Sequence, residues 1–215
     1  MVLACGNNPL WSRAMDPVRT ASPTCFLEDE AETRRDVLRW RRAERAALIA
    51  ERQVMAVADR QAAELRIAAD LAGEPGSVIG LYWPFKGGPD LRSWAAARRQ
   101  AGAQIALPAV VEKGHPLAFR LWHPGVKLSR GIWDIPVPPE DAPVLQPDLV
   151  IAAVVGADPA GFRLGYGGGY YDRTLAAQRA AGHRARVIGV GFAFQALPTI
   201  FPLSHDIAMD RVILA

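Results

Sequence analysis

Apolar residues recur along the chain at two spacings, one typical of helices and one typical of strands. Between residues 33 and 72 they follow helical spacing, first through Val37, Trp40 and Leu48 and then through a second segment, which predicts two helices. Gly73-Glu-Pro-Gly76 closes this region. Beyond it lie short apolar runs bounded by turn residues, which predict strands at residues 78–83, 104–111, 117–122, 149–155, 186–192 and 207–214.

A helix is predicted at residues 91–101, between the first two strands, and Gly102 ends it. This strand–helix–strand unit implies parallel strands joined by a right-handed crossover. Ligands of open α/β sheets bind at the carboxyl ends of the strands, so the loop after Trp83 is a candidate binding segment. We predict one α/β domain over residues 31–215. Residues 1–30 lack periodicity and contain three prolines, and we interpret them as an N-terminal extension for which disorder is one expectation.

Composition and charge narrow the class of protein. A hydrophobic share of 50% and a charged share of 22% in 215 residues are ordinary for a soluble globular protein. The 25 basic residues are interleaved with 22 acidic ones, whereas nucleic-acid-binding proteins usually cluster their positive charge. The two cysteines imply no disulfide framework, and no apolar run reaches the ~20 residues that a membrane span needs. We therefore expect a cytoplasmic monomer with neither a nucleic-acid nor a membrane partner.

The most informative stretch is Arg163-Leu-Gly-Tyr-Gly-Gly-Gly-Tyr-Tyr-Asp-Arg173, called the glycine segment below. It follows the apolar run 149–155 and precedes a helix predicted at residues 174–182. A strand, a glycine-rich turn and a helix start together present backbone N–H groups to a phosphate, because glycine permits close approach and a helix N-terminus favours negative charge. The segment has neither the Gly-Lys-Ser/Thr of a Walker loop nor the Gly-x-Gly-x-x-Gly of a dinucleotide site. The alternative interpretation is a flexible turn packed by aromatic residues.

The string from Arg163 to Asp172 resembles the signature loop of the 5-formyltetrahydrofolate cyclo-ligase family, the 5,10-methenyltetrahydrofolate synthetases. The resemblance extends from about Arg35 to the C-terminus. It implies a three-layer αβα sandwich with a mostly parallel, mixed sheet, an open α/β fold of the NagB/RpiA type. It also implies a reduced folate as the small-molecule substrate, ATP as co-substrate and Mg²⁺. The implied reaction closes 5-formyltetrahydrofolate to 5,10-methenyltetrahydrofolate with release of ADP and phosphate.

The resemblance assigns phosphate binding to the glycine segment and to a Lys-x-x-Leu-Arg element, whose place Arg35, Leu38 and Arg39 take here. Arg35 and Arg39 lie four residues apart and therefore share one helix face. The expected ATP-binding residues are Arg35, Arg39, Arg163, Leu164, Gly165, Tyr166, Gly167, Gly168, Gly169, Tyr170 and Tyr171. Arg163, Tyr170 and Asp172 are expected to be catalytic. Asp172 and Asp206 are expected to hold Mg²⁺ through hard oxygen ligands.

The residues expected to bind the folate are Trp83, Gly88, Trp122, Trp133, Tyr170 and Tyr171. Tryptophan rings can stack on a pterin, although large aromatic residues more often pack in cores. Gly88 and Val137 depart from the family pattern, because they stand where family members carry Glu. This departure motivates a second hypothesis, a diverged paralogue that binds ATP and acts on a non-folate substrate. A third is a non-catalytic nucleotide-binding module, which the intact glycine segment disfavours.

Overall fold

The structure, a computed structural model, describes residues 30–215, with side chains from Thr33 onward. The extension predicted for residues 1–30 therefore lies outside the described residues, apart from Glu30. The helices are α1 (Glu30–Val54), α2 (Val57–Asp70), α3 (Arg92–Gln100) and α4 (Tyr170–Ala180). The strands are β1 (Val78–Gly80), β2 (Gln104–Ala109), β3 (Ala118–Trp122), β4 (Ser129–Arg130), β5 (Pro136–Val137), β6 (Val144–Leu145), β7 (Leu149–Ala153), β8 (Gly156–Ala157), β9 (Arg163–Leu164), β10 (Arg186–Gly191) and β11 (Arg211–Leu214).

Seven of the strands form one sheet in the order β11-β10-β7-β1-β2-β3-β6. The strands from β11 to β2 are mutually parallel, whereas β3 and β6 pair antiparallel with their neighbours. Gly80 of β1 lies between Ala106 of β2 and Val150 of β7. The predicted mixed, mostly parallel sheet and the parallel unit of β1, α3 and β2 are confirmed.

Helices cover both faces of the sheet. On one face, Ile67 and Leu71 from the α2 region and Trp94 of α3 pack against strand residues such as Ile79 and Ile151. On the other face, Leu175 of α4 belongs to a cluster with Phe119, Val150 and Val187. Apolar side chains on both sides of the central strands explain why their sequences are continuous apolar runs. The expected three-layer αβα arrangement is confirmed.

Several element boundaries differ from the sequence prediction. The strand predicted at residues 78–83 ends at Gly80, and the one predicted at residues 207–214 begins at Arg211. The helix predicted at residues 174–182 begins earlier, at Tyr170, directly after Gly169 in the left-handed conformation. The last difference matters, because it places Tyr170, Tyr171 and Asp172 on the first turn of a helix.

The long helix α1 lies where the glycine segment leaves the sheet. Its Leu48 is fully buried against Val155, Leu164 and Leu197. This contact brings the cationic residues of α1 next to the glycine segment. No helix in the part of the chain that the structure describes is long and apolar enough to cross a membrane.

Candidate active site

A cavity of about 340 Å³ lies beside the carboxyl ends of β1 and β7. Its wall combines α1, the loop after β1, the hairpin of β4 and β5, the glycine segment and the loop before β11. The lining residues include Leu38, Arg41, Arg45, Tyr82, Trp83, Phe85, Gly88, Ile132, Trp133, Val137, His205, Asp206 and every residue from Arg163 to Asp172. The structure thus brings most of the site residues predicted from the sequence to one place.

The glycine segment turns sharply between β9 and α4. Gly167 and Gly169 have φ values of +90° and +62°, which residues with a Cβ rarely adopt. Gly168 has no positive φ, but a Cβ there would lie 2.7 Å from a ring carbon of Tyr170. The three glycines are therefore required for two different physical reasons. The first turn of α4, whose N–H groups have no intrahelical partner, follows immediately.

Arg163 and Asp172 form an ion pair at 2.7 Å across the two ends of the glycine segment. Their side chains are 5% and 17% exposed, so the pair is largely shielded from solvent. Arg163 also donates to the carbonyl of Ile207 at 3.1 Å, and Asp172 accepts from the N–H of Ile207 at 3.1 Å. These contacts hold the segment in a closed loop against the chain that leads into β11.

A second buried ion pair joins Arg41 of α1 to Asp206 at 2.5 Å. The Arg41 guanidinium also donates to the carbonyls of Ile200 and Phe201 at 2.9 and 2.8 Å. Burial alone would raise the pKa of Asp206, but the hydrogen bonds from Arg41 and from the N–H of Leu203 bring that pKa below its ordinary value. Asp206 is therefore ionised at neutral pH and fixes α1 to the C-terminal part of the chain.

The donor set for Mg²⁺ does not form a preassembled metal site. Asp172 and Asp206 are each ion-paired with a different arginine. Within residues 33–215, no three side chains of His, Cys, Asp or Glu lie close enough together to hold a metal ion. The metal-binding roles of these two aspartates stay a prediction, and no chemical step below is assigned to Mg²⁺.

Arg45, four residues after Arg41, is a second cationic site residue that the sequence analysis missed, beside Arg41 itself. Its Nε donates to the carbonyl of Gly165 at 2.6 Å. Its guanidinium carbon would lie 3.4 Å from a Cβ at Gly167. Among residues 33–215, no carboxylate forms an ion pair with Arg45. Burial, followed by the charge of Arg41, lowers the pKa of Arg45, but an arginine remains a cation at neutral pH.

Arg35 and Arg39, the arginines predicted to bind phosphate, are exposed on α1 and are not among the residues that line the cavity. The Arg39 side chain is 80% exposed and forms an ion pair with Asp36 at 3.1 Å. Their assignment to ATP stays a prediction. The one available signal for Arg41 and Arg45 was the same four-residue spacing, which occurs twice in this helix.

The predicted aromatic residues occupy different environments. Trp83 lines the cavity and packs edge-to-face on Trp122, with 6.0 Å between ring centroids. Trp122 is 6% exposed and belongs to the core, outside the cavity lining. Trp133 is half-exposed, has a φ of 59° and packs edge-to-face on Tyr170 at 6.0 Å. The hairpin of β4 and β5 thus carries Trp133 against the glycine segment.

Tyr171 presents a buried hydroxyl in this wall. The hydroxyl oxygen has no hydrogen-bond partner among residues 33–215, and the Arg163 guanidinium lies 5.5 Å from the ring centroid. Burial raises the pKa of Tyr171 to about 12. The group is therefore a neutral phenol at physiological pH and can donate a hydrogen bond to a ligand.

Gly88 and Val137, the positions where a Glu was expected, both line the cavity. Gly88 ends a tight turn in which its N–H donates to the carbonyl of Phe85 at 3.1 Å. A Cβ at Gly88 would lie 3.3 Å from that carbonyl oxygen and 3.6 Å from Nη1 of Arg52. Gly88 lies on the loop after β1 and Val137 on β5, so the two departures from the family pattern alter the cavity lining at two different segments.

Comparison with protein families decides the classification. Residues 31–215 match the family model described as the 5-formyltetrahydrofolate cyclo-ligase family. The chain belongs to this family. A 5-formyltetrahydrofolate cyclo-ligase of Mycolicibacterium smegmatis is 28% identical over 178 residues, which cover 79% of this chain and 90% of the relative. A 5-formyltetrahydrofolate cyclo-ligase of Escherichia coli K12 is 28% identical over 145 residues, which cover 63% of this chain and 76% of the relative.

Solved structures with the same fold carry related names. The solution structure of 5,10-methenyltetrahydrofolate synthetase from Aquifex aeolicus has a TM-score of 0.68 at 23% identity and covers 81% of this chain and 89% of its own. The structure of the 5,10-methenyltetrahydrofolate synthetase of Mycoplasma pneumoniae has a TM-score of 0.64 at 19% identity. The match covers 80% of this chain and 97% of that structure's chain. At such identities the likeness establishes the fold, while family membership rests on the family model.

Proposed function

We propose that the protein converts 5-formyltetrahydrofolate to 5,10-methenyltetrahydrofolate, using ATP and Mg²⁺ and releasing ADP and phosphate. The observation that supports this most is the composition of one cavity, whose lining combines the glycine segment, Arg45 and Arg163 with the aromatic residues Trp83 and Trp133. Family membership supplies the identity of the reaction.

The chemical problem is that a formamide oxygen is a poor leaving group. Transfer of the γ-phosphoryl group from ATP to the formyl oxygen releases ADP and activates the formyl carbon. N10 of the folate then attacks that carbon, N10 loses its proton, and the oxygen leaves as phosphate. Phosphoryl transfer mainly requires that the protein position its reactants and balance their charge.

The residues of this chain suit those two tasks. The N–H groups of Gly167, Gly168 and Gly169 and the N-terminus of α4 would hold phosphate oxygens. Arg45 supplies a positive charge without an ion-pair partner among residues 33–215, and Arg163 supplies a second that Asp172 orients. Trp83 and Trp133 would bind the pterin, and the neutral Tyr171 hydroxyl would donate to an oxygen near the reacting carbon.

Mg²⁺ would enter the site with the ATP phosphates, because Mg²⁺ in nucleotide sites is usually held by substrate phosphates, waters and one or two carboxylates. When bound, the ion neutralises phosphate charge. Asp172 is the nearer candidate for a direct contact, because it lies on the first turn of α4 beside the glycine segment. We further propose that the enzyme acts as a monomer in the cytoplasm, the compartment expected for a chain whose two cysteines imply no disulfide framework.

The test is an absorbance assay for the methenyl product with purified protein, 5-formyltetrahydrofolate and Mg·ATP. We expect product formation that requires both ATP and Mg²⁺. Omission of ATP and replacement of Mg·ATP by a non-hydrolysable analogue serve as controls. ATP binding without turnover of this folate would instead favour the diverged paralogue, for which Gly88 and Val137 in the cavity wall are the specific observation.

A further inference from the structure

Arg52 of α1 is a buried cation that the proposed chemistry does not use. It is 0% exposed and is among the largest fully buried side chains of residues 33–215. No carboxylate within that range forms an ion pair with it. Arginines are almost never fully buried without a paired acid, because removing the charge from water is costly. Its hydrogen bonds must therefore compensate for the burial.

Those hydrogen bonds reach two separate walls of the cavity. Nε donates to the carbonyl of Lys86 at 2.9 Å, and Nη2 donates to the carbonyl of Phe85 at 3.2 Å. Nη2 also donates to the hydroxyl of Tyr166 in the glycine segment. The Tyr166 hydroxyl in turn donates to the carbonyl of Phe85 at 3.1 Å. One guanidinium thus connects the loop of residues 84–89 to the glycine segment.

The loop held by Arg52 has a backbone conformation that its sequence does not favour. Lys86 has a φ of 46° and Gly87 a φ of 74°, so two consecutive residues are left-handed and one of them carries a Cβ. Such strain persists only where surrounding contacts over-determine it. The hydrogen bond from Arg52 to the Lys86 carbonyl is such a contact, and it acts directly on the strained residue.

Phe85 and Tyr166 both line the cavity and also touch each other, with 5.4 Å between their ring centroids. A shift of the glycine segment on phosphate binding would therefore move the Tyr166 hydroxyl, and through Arg52 the carbonyls of Phe85 and Lys86. Gly88, at the end of the same turn, faces the side of the cavity assigned to the second substrate.

We propose that Arg52 is a positioning residue that couples the glycine segment to the loop of residues 84–89. Binding of nucleotide at the glycine segment then favours the loop conformation that binds the second substrate. Coupling of this kind is reciprocal, so each ligand tightens the binding of the other by the same factor. The proposal rests on the proposed function in taking Mg·ATP and 5-formyltetrahydrofolate as the two ligands.

The experiment measures the dissociation constant of 5-formyltetrahydrofolate by calorimetry, with and without a saturating non-hydrolysable Mg·ATP analogue. For the wild type we expect the analogue to tighten folate binding about 10-fold, within the usual range of coupling between sites. In Arg52→Met and in Tyr166→Phe this tightening falls below about twofold. Arg52→Lys keeps the charge and a single donor nitrogen in place of three, and it should retain part of the effect.

The matched control is Arg98→Met. Arg98 is a part-buried arginine that, like Arg52, donates to a backbone carbonyl, that of Gly76 at 3.1 Å, but it does not line the cavity. This variant should show the full wild-type tightening. Melting temperatures of all variants separate loss of stability from loss of coupling.

Two results overturn the proposal. Either the wild type shows no tightening, or a folded Arg52→Met retains the wild-type tightening, in which case Arg52 only stabilises the fold. If Arg52→Met does not fold, Tyr166→Phe decides, because it removes a single hydroxyl.

If the wild type binds no 5-formyltetrahydrofolate, the proposed function fails. Amide hydrogen exchange then tests separately whether the glycine segment is coupled to the loop of residues 84–89. The nucleotide analogue should then protect the amides of residues 85–88 in the wild type and not in Tyr166→Phe. Unchanged exchange in the wild type would overturn the coupling.

Discussion

The Nε atom of Arg45 lies 2.6 Å from the carbonyl oxygen of Gly165, so a cation of α1 is fixed directly over the glycine segment. The rest of the guanidinium faces Gly167, where a phosphate oxygen would be expected. Arg39, six residues earlier on the same helix, instead pairs with Asp36 at the surface. Replacement of Arg45 should therefore weaken nucleotide binding, whereas replacement of Arg39 should leave it nearly unchanged.

We expect Arg45→Ala to weaken Mg·ATP binding by about 1.5–3 kcal/mol, the usual loss for a hydrogen bond to a charged group. Arg39→Ala should change it by less than about 0.5 kcal/mol, because exposed charges far from a ligand are screened. Isothermal calorimetry on both variants measures the difference. A large loss in Arg39→Ala alone would restore the phosphate assignment made from the sequence and reject that of Arg45.

Gly168→Val tests whether the glycine segment must approach its ligand closely. Its Cβ would meet the Tyr170 ring at 2.7 Å and the Trp133 ring at 3.2 Å, so both aromatic side chains must move. We expect Mg·ATP affinity to fall at least about 10-fold, with the circular dichroism spectrum unchanged. Gly73→Val, at a glycine with no neighbouring atom within 4 Å of a Cβ, is the control. Wild-type affinity in Gly168→Val would mean that the segment is only a turn.

The Arg41–Asp206 pair should make stability dependent on pH in the acid range. The pKa of Asp206 is lowered in the folded state from the ordinary 3.8, so the pair contributes fully above that value. The contribution is lost as the pH falls through the lower, folded-state pKa. Asp206→Asn should reduce the free energy of unfolding by about 1–3 kcal/mol at pH 7 and by progressively less below pH ~4.

Urea unfolding at pH 7, 5, 4 and 3 measures this difference. Asp134→Asn is the matched control, because Asp134 pairs with Arg130 while 77% exposed, and exposed pairs contribute little. A constant difference between wild type and Asp206→Asn across the whole pH range would contradict the assignment of the titration to Asp206.

Gly88→Glu tests the part of the cavity that is proposed to bind the folate. Gly88 has no positive φ, so the backbone accepts a side chain, although the Phe85 carbonyl at 3.3 Å from the new Cβ must yield slightly. A carboxylate there can accept hydrogen bonds from the amino and ring N–H groups of a pterin, each worth about 0.5–3 kcal/mol. We expect a lower KM for 5-formyltetrahydrofolate, measured by steady-state kinetics.

Gly88→Gln introduces a side chain with the shape of glutamate but without its charge. This variant separates the effect of the carboxylate from that of the side chain's bulk. Turnover in neither the wild type nor Gly88→Glu, with ATP binding intact, would reject the cyclo-ligase reaction for this chain. The diverged paralogue would then be favoured.

The sheet and the glycine segment were predictable because their signals are local. Apolar runs such as 149–155 and 186–192 predicted central strands, which the structure contains as β7 and β10. The start of α4 was not predictable in the same way. It depends on the left-handed conformation of Gly169, and sequence does not reveal which glycine of three adopts it.

The inner face of α1 was not predicted from the sequence, and the reason is physical. Arg41, Arg45, Leu48 and Arg52 follow helical spacing and share the face that packs on the glycine segment. Three of the four are arginines, whereas periodicity analysis assigns charged residues to the solvent face. Only tertiary contacts with Gly165, Tyr166 and Asp206 reveal that this cationic face is the inner one.

Arg41 and Asp206 are separated by 165 positions in the chain, yet they close the same cavity. At ribosomal rates of about 5–20 residues per second, α1 is synthesised about 10–30 s before its acidic partner. During that interval Arg41 has no carboxylate at this position to compensate for leaving water. The proposed nucleotide site is therefore incomplete until Asp206 has been synthesised, and a nascent chain that stops before residue 206 should be unable to sequester ATP.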